Sequence, residues 1–388
     1  MKIAVIGAGV VGLFTACLLE AQGHQVTVFE RRCGGPVADD GLCLSASAQL
    51  TLLRASVLWP GAVDCLQVLL DRGVHQTQSL RFRCCAGGGW QSTEEPRPSE
   101  VMAPLLIRRQ ALLAALREPL ASSSLQWGAL PVALEPWGEQ VGLTLADGSR
   151  WRGDLLLAAD GVQSAVVRLL GVRRRIHALG HRYWRGLATD GHLVCGGAFH
   201  RYEQAGSLRL TTFDLGVASG GVAQTHWCLF APQQPSSEAD GIPDQALQGL
   251  PWDLVDLIRS TPVEDISRGQ VLDAGPLECL VQGRVALLGD AAHPMAPTQA
   301  RGIRCGLEDA LVLATVLASS SETLPRALEQ YSALRLPVVR QAQRLSRLEY
   351  AGGSEQPSVL DEALDHGPGP QGHLQGHEQI EQGNPAAA

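Results

Sequence analysis

Apolar and polar positions along the chain fall into two textures. Lys2–Ile6 is an apolar run. A glycine-rich turn follows it, and then Val10, Val11, Phe14, Cys17 and Leu18 form a stripe at helical spacing. Gln25–Phe29 reads as a second strand, so the first thirty residues spell strand, turn, helix, strand. Leu105–Arg117 has the spacing of an amphipathic helix. Gln140–Leu145, Asp147-Gly148 and Trp151–Ala158 read as strand, turn and strand, leading into Asp160-Gly161. The texture changes near Arg173. From His181 to Phe230, short β-rich runs are separated by turn signals at Gln204-Ala205-Gly206 and Ser219-Gly220-Gly221, which predicts an antiparallel sheet. Arg284–Leu288 reads as a buried strand. A long helix follows, with Ile303, Leu307, Ala310, Leu311, Ala314 and Leu317 on one face, and a second helix covers about Leu324–Leu348. After Tyr350 aromatics vanish and Gly, Pro, Gln, His and Glu dominate. Residues 351–388 cannot bury enough surface to offset their ordering entropy and are expected to be disordered.

At 388 residues the chain is long enough for two or three structural units. The formal charge of −8 argues against a nucleic-acid partner, because phosphate-backbone affinity rests on clustered Lys and Arg. Lys2 is the only lysine, which excludes Schiff-base chemistry on a buried lysine. The ten cysteines show no C-x-x-C and no zinc spacing, so no metal is expected and reduced thiols in a cytoplasmic protein are. Lys2, an apolar stretch and Phe14-Thr15-Ala16-Cys17 superficially resemble a lipoprotein signal. Glycines at 7, 9 and 12 with an acidic residue at 30 favour the strand-turn-helix instead. No segment reaches the roughly 18 apolar residues that an integral membrane span needs.

The chemistry starts at Gly7-Ala8-Gly9-Val10-Val11-Gly12. In such a motif the first glycine permits the tight turn, the second lets backbone N–H groups approach a pyrophosphate, and the third lets helix pack on strand. The helix start adds partial positive charge for the phosphates. Glu30 lies where a carboxylate can accept both ribose hydroxyls of an adenosine, with Arg31 beside it. The motif alone does not separate NAD from FAD.

Far downstream, Gly283-Arg284-Val285-Ala286-Leu287-Leu288-Gly289-Asp290-Ala291-Ala292-His293-Pro294-Met295 closely resembles the second FAD signature of the flavin-dependent aromatic hydroxylases, the p-hydroxybenzoate hydroxylase-like monooxygenases. The resemblance implies that Asp290 accepts hydrogen bonds from the ribityl hydroxyls of FAD. It also implies that Pro297, Gly302 and Ile303 lie beside the flavin, where the long helix aims its N-terminus at the pyrimidine and stabilises negative charge there. Ile107-Arg108-Arg109-Gln110-Ala111-Leu112 resembles the family's I-H-R-x-x-L segment, which gives Arg109 a flavin-holding role. Asp154-Leu155 through Ala159-Asp160-Gly161-Val162-Gln163-Ser164 resembles its D-G motif, implicated in binding FAD and the pyridine nucleotide. Trp184-Arg185-Gly186 resembles a strand opening the substrate domain, and Tyr331 to Ser346 its closing helix. The matched stretches run in order over about residues 1–348.

The chain departs from the family in places. Ala300-Arg301-Gly302 stands where G-Q-G is usual, and Arg304 where a small or polar residue is usual. Val167 replaces the D-G motif's arginine, with Arg168 one position late. Arg301 and His293 are the catalytic candidates. His177, His181, His192, His200 and His226 span β-rich sequence and do not read as a metal site. Trp184, Trp227 and Trp252 read as core or pocket wall.

The fold expected is α/β, a Rossmann-like FAD-binding domain with an inserted antiparallel β-sheet substrate domain. Residues 1–75, 100–175 and 270–350 would form the first, and 76–99 and 176–269 the second. The resemblance implies an FAD-dependent monooxygenase that uses NADH or NADPH and O2 to hydroxylate a small, aromatic substrate through a flavin C4a-hydroperoxide. A single G-x-G-x-x-G argues against a second dinucleotide-binding domain. Two alternatives stay open: an FAD-dependent reductase of the geranylgeranyl-reductase type, and a non-catalytic flavin-binding relative.

Overall fold

The computed structural model describes residues 1–34, 39–60, 67, 75–76, 79–86, 89–96, 102–121, 124–189, 195, 198–204, 207–217, 222–233, 241–297, 301–319 and 323–350. The 351–388 tail, Ala300, His192 and the turn residues 205–206 and 219–221 lie outside the described residues. In chain order the elements begin β1 (Lys2–Ile6), α1 (Val10–Ala21), β2 (Gln25–Glu30), β3 (Gly41–Leu44), α2 (Ala46–Leu58), β4 (His75–Gln76), β5 (Ser79–Ala86) and β6 (Gly89–Pro96). Next come β7 (Leu105–Arg108), α3 (Arg109–Arg117), β8 (Leu125–Trp127), β9 (Pro131–Trp137), β10 (Gln140–Leu145), β11 (Arg150–Gly153), β12 (Leu155–Ala158) and α4 (Ala165–Leu169). The remainder is β13 (Ile176–Ala188), β14 (Ala198–Gln204), β15 (Ser207–Val217), β16 (Ala223–Pro232), α5 (Asp244–Leu247), α6 (Trp252–Arg259), β17 (Ser267–Ala274), β18 (Val281–Gln282), β19 (Val285–Leu287), α7 (Arg301–Ala318) and α8 (Leu324–Tyr350).

One sheet runs β18-β19-β12-β1-β2-β8, parallel from β19 to β8. Its middle strands are covered on both faces, so they read as unbroken apolar runs: Ile3, Ala4, Val5, Leu155, Leu156 and Leu157 are fully buried. α1 and α7 join the same core. The other large sheet runs β17-β13-β16-β15-β14-β5-β6. It is antiparallel except where β14 pairs in parallel with β5. Pairing alternates its side chains between two faces. Trp184, Trp227, Leu229, Leu210 and Tyr202 lie on one face under α5 and α6. Phe213 and His226, on the other, meet β3 closely enough that a Cβ on Gly41 would fall 2.6 Å from Phe213 and 2.7 Å from His226. Glycine at 41 thus lets the sheet sit against β3. Two smaller sheets, β11-β10-β9 and β3-β7-β4, complete the arrangement.

Several local expectations change in three dimensions. Leu105–Arg117 is not one helix: Leu105, Leu106 and Ile107 are buried in β7, and the helix begins at Arg109. A short apolar run does not by itself distinguish a buried strand from a helix segment. Trp151–Ala158 divides at Asp154, whose carboxylate accepts from the Lys2 N–H at 2.7 Å, and β11 and β12 enter different sheets. The boundary at 269/270 falls inside β17, which pairs with β13. Trp184 and Trp227 are core, whereas Trp252 is exposed. Among the described residues no helix is long and apolar enough to cross a membrane.

Candidate functional site

The glycine turn behaves as its spacing requires. Gly7 has φ +106°, and a Cβ there would sit 2.5 Å from the Ala159 carbonyl oxygen. A Cβ on Gly12 would lie 2.0 Å from the Gly7 oxygen. At Gly9, by contrast, a Cβ would meet no protein atom within 4 Å, and the residue is exposed. No side chain caps the start of α1 and no acidic residue stands in its first turn. Its first N–H groups therefore face an open space suited to an anion. Val11 packs on Gly289 and Gly306, so the first motif is locked onto the second.

Glu30 is buried at the end of β2. One carboxylate oxygen accepts from the Ala8 N–H at 2.9 Å, the other from the Arg32 N–H at 3.1 Å. The carboxylate thus holds the turn while retaining lone pairs for further donors. Arg31 is exposed just beyond it.

Asp160 uses one oxygen to accept from the Ala165 and Val166 N–H groups at 2.7 and 3.3 Å, which caps α4. Its other oxygen is buried and has no partner among the described residues. Arg174, which the sequence reading passed over, ties this loop to the second motif by donating to the carbonyls of Ala291 at 2.5 Å and Val162 at 3.0 Å. Asp290 has open surface, yet it sits deep enough that burial raises its carboxyl above the ordinary range, against the pull of His293, Arg109 and Arg174. Asp290 also faces the start of α7, where a Cβ on Gly302 would be 3.6 Å from its Oδ1.

His293 has no accessible surface. Its Nε2 lies 2.5 Å from Asp309, which also accepts from the Gly289 N–H at 2.9 Å and from Arg335 at 2.8 Å. Although burial opposes it, His293 and Arg335 hold the Asp309 carboxyl down to about 2. This buried network fastens the Gly289–Pro294 loop to α7 and α8, a place suited to anchoring rather than to meeting a substrate. Arg301 is buried in the first turn of α7, so its side chain does not lie on the surface. Arg304 pairs with Glu308 at 3.3 Å. Pro297 and Ile303 flank the start of α7, Pro297 exposed and Ile303 half-buried.

Arg109 begins α3, where its Nε approaches Asp40 at 2.5 Å. The other Asp40 oxygen is 2.5 Å from Nε of Arg185 on β13. One buried carboxylate thereby links the nucleotide-binding half to the long sheet. Beside it, the Gly41 N–H donates to Nδ1 of His226 at 2.9 Å. Burial drives the His226 imidazole down to about 3, so the ring is neutral. Cys228 is half-buried, and burial pushes its thiol up to about 12. It packs beside Tyr183 against Phe230, Val271 and Ala296 of the loop after Asp290.

A line of contacts therefore runs from Gly7 and Val11 to Asp160 and Gly289, and from Arg109 through Asp40 to Arg185 on the sheet. The donor set along it fits an extended dinucleotide cofactor: an open, uncapped helix start, a ribose-side carboxylate, an orphaned buried carboxylate oxygen and a deep accessible one. Gly7 and Gly12 lie together beside Asp160, Val11 lies against Gly289, Asp290 lies beside Gly302, and Arg109 is within electrostatic reach of Asp290. Arg174 and Asp40 were missed. The adjacent run Arg173-Arg174-Arg175 was a visible signal for the first; nothing local distinguished Asp40 from Asp39.

Comparison with known proteins agrees with this geometry. A family model described as FAD binding domain matches residues 142–346, and one described as FAD dependent oxidoreductase matches residues 2–38. The chain is 30% identical over 362 residues to the 3-amino-4-hydroxybenzoate 2-monooxygenase PtmB3 of Streptomyces platensis, covering 89% of this chain and 87% of the relative. It is 29% identical to an aurachin C monooxygenase/isomerase of Stigmatella aurantiaca, covering 87% and 85%. The Klebsiella pneumoniae HpxO structure complexed with FAD and uric acid superposes with a TM-score of 0.74 at 24% identity, covering 94% of this chain and 91% of that one. The chain belongs to the FAD binding domain family of FAD-dependent monooxygenases. It is an oxidoreductase whose cofactor is FAD, and NADH or NADPH is the reductant typical of the family.

Proposed function

We propose that this protein hydroxylates a small aromatic substrate with NAD(P)H and O2, in the cytoplasm. The observation that carries this reading is the set of contacts that joins the glycine turn to the second motif and to the long sheet: Val11 packs on Gly289 and Gly306, and Asp40 meets both Arg109 and Arg185. Two of the relatives named above are monooxygenases, of 3-amino-4-hydroxybenzoate and of aurachin C. A further relative at 28% identity is a urate hydroxylase. These relatives do not favour the alkene-reductase alternative.

In this reading residues 1–75, 100–175 and 270–350 hold the cofactor, apart from the end of β17 at 270–274, which joins 76–99 and 176–269 in the substrate wall. Gly7, Gly9, Val11 and Gly12 shape the pyrophosphate turn, and Glu30, with Arg31 at the rim, receives the ribose. Asp160 offers its spare oxygen midway, and Asp290 accepts from the ribityl hydroxyls. The chemistry that FAD supplies when bound is to take electrons from NAD(P)H and activate O2. Pro297, Gly302 and Ile303, at the start of α7, would lie beside the ring. There the helix dipole and the buried Arg301 cation favour negative charge. His293 positions the loop through Asp309. Tyr183, Cys228 and Phe230 close the far side and exclude water. The test is NAD(P)H oxidation in the presence of candidate aromatics, with mass analysis of products. Substrate-stimulated oxidation with one oxygen atom added supports the reading. An FAD-loaded protein that consumes no NAD(P)H with any aromatic tested overturns it.

A further inference from the structure

The D-G motif of this chain lacks its usual arginine: Val167 stands in that place and Arg168 follows one position late. In the fold neither residue makes up for it. Val167 belongs to the main core cluster, and Arg168 lies exposed on α4. The loop is nevertheless gripped by a guanidinium that arrives from further along the chain. One Nη of Arg174 donates to the Val162 carbonyl, inside the D-G loop, at 3.0 Å. The other donates to the Ala291 carbonyl, next to Asp290, at 2.5 Å. Arg173 and Arg175 are exposed and Arg174 is half-buried, so of three consecutive arginines the middle one is drawn inward.

Charge gives this contact a use beyond joining two loops. Each loop carries a carboxylate, Asp160 on one and Asp290 on the other, and the two have the same sign. Asp160 also keeps a buried oxygen that has no partner among the described residues. Burial lowers the pKa of Arg174, while Asp160 and Asp290 both raise it, so the guanidinium is within electrostatic reach of both. It does not deprotonate in proteins, so a permanent cation stands near two anions. Without it, the two carboxylates repel each other and repel the phosphates of FAD. The planar fork matters as well as the charge. Two Nη groups in one plane fix two carbonyls at once, which sets the spacing of the loops before the cofactor arrives and reduces the ordering lost on binding.

We propose that Arg174 is a cofactor-positioning residue that takes over from the arginine missing at 167: it holds the D-G loop and the Gly-Asp loop at the spacing FAD requires and offsets the charge of Asp160 and Asp290. The inference rests on FAD as the cofactor and is independent of the aromatic-substrate reading, so failure of the NAD(P)H assay leaves it standing.

The test is equilibrium dialysis of the full-length protein against graded FAD, with Kd and the number of sites per chain fitted separately. A merely structural defect removes competent sites and leaves the Kd of the rest unchanged, whereas a positioning role changes the Kd itself. Arg174→Gln should raise the Kd at least about tenfold with close to one site per chain, the loss expected when charge-assisted donors become neutral. Arg174→Lys keeps the cation but not the fork, so its Kd should rise only several-fold. Arg173→Gln and Arg175→Gln should bind FAD as wild type does. If Arg174→Gln does not fold, Arg174→Lys carries the test, and a wild-type Kd in it overturns the proposal. A wild-type Kd in Arg174→Gln overturns it too, as does a loss of sites at unchanged Kd. An equal rise in Arg173→Gln or Arg175→Gln, or an Arg174→Lys no better than Arg174→Gln, has the same consequence.

Discussion

Two glycines three residues apart should respond to the same substitution in opposite ways. At Gly12 an added methyl would lie 2.0 Å from the Gly7 oxygen and 3.4 Å from the Ala159 Cβ. The obstacle is backbone, so α1 must move away from the turn. Such overpacking costs roughly 1–3 kcal/mol. The gain of about 1 kcal/mol from replacing glycine by alanine inside a helix offsets part of it. A 2.0 Å approach to backbone puts the overpacking cost at the upper end of that range, so Gly12→Ala should destabilise the apoprotein by about 2 kcal/mol and lower its Tm by about 2–3 °C at this chain length. At Gly9 the methyl meets no protein atom within 4 Å. Gly9→Ala should destabilise the apoprotein by no more than about 1 kcal/mol, because glycine is a better N-cap than alanine but no contact is crowded. It should nonetheless obstruct the pyrophosphate. One charge-assisted hydrogen bond from the turn is worth roughly 1.5–3 kcal/mol, so the Kd for FAD should rise about 10- to 150-fold. Thermal unfolding of both apoproteins, with FAD binding followed by flavin fluorescence, separates the two effects. Wild-type FAD affinity in Gly9→Ala, or a wild-type Tm in Gly12→Ala, would refute the assignment of one glycine to the ligand and the other to packing.

The other expectations concern the charged groups. Asp290→Asn should weaken FAD retention about 10-fold or more, because a charged acceptor becomes a neutral one; equal flavin content after dialysis would count against it. Arg301→Gln should lower the flavin reduction potential by roughly 20–60 mV if the buried cation steadies the reduced ring; redox titration giving identical potentials would dismiss that role. Asp309→Asn should destabilise the fold by about 3–5 kcal/mol, since it unpairs buried His293 and Arg335. The Asp309 carboxyl is held near 2, below its unfolded value. Its contribution is therefore present above the ordinary carboxylate range and lost as pH falls through about 2. Denaturant titrations at stepwise acid pH should show a shallower loss in the variant. His226 stays neutral in the fold down to about 3, so the unfolded chain binds its proton first. Stability should then fall by up to about 1.4 kcal/mol per pH unit as pH drops below 6.5 toward 3, and His226→Gln should flatten that slope; parallel curves for the two proteins would show that His226 titrates normally.

Some of this was written in local order along the chain. The turn at Gly7, Gly9 and Gly12, the strand and helix around it, and the Gly289-Asp290 signature each depend on residues close in sequence. Glycine spacing dictates backbone shape and apolar spacing dictates the strand or helix, so motif and element could be read together. The resemblance of the second motif to a family signature pointed to FAD, and the contacts of Val11 with Gly289 and Gly306 hold the two motifs together. Where a short apolar run offered no periodicity, as at Leu105–Ile107, pairing with β3 and β4 decided between strand and helix. The charge pattern was decided by tertiary structure. Asp40, Arg109 and Arg185 are far apart in the chain, and only the approach of β13 to the loop before β3 makes one carboxylate serve two arginines. The conspicuous Arg304 pairs with Glu308 along its own helix, while Arg174, one of three adjacent arginines, closes the loop beside Asp290. A charged side chain's role depends on which opposite charges and carbonyls the fold brings within about 3 Å, and on how much water it leaves there. Neither quantity is periodic in sequence.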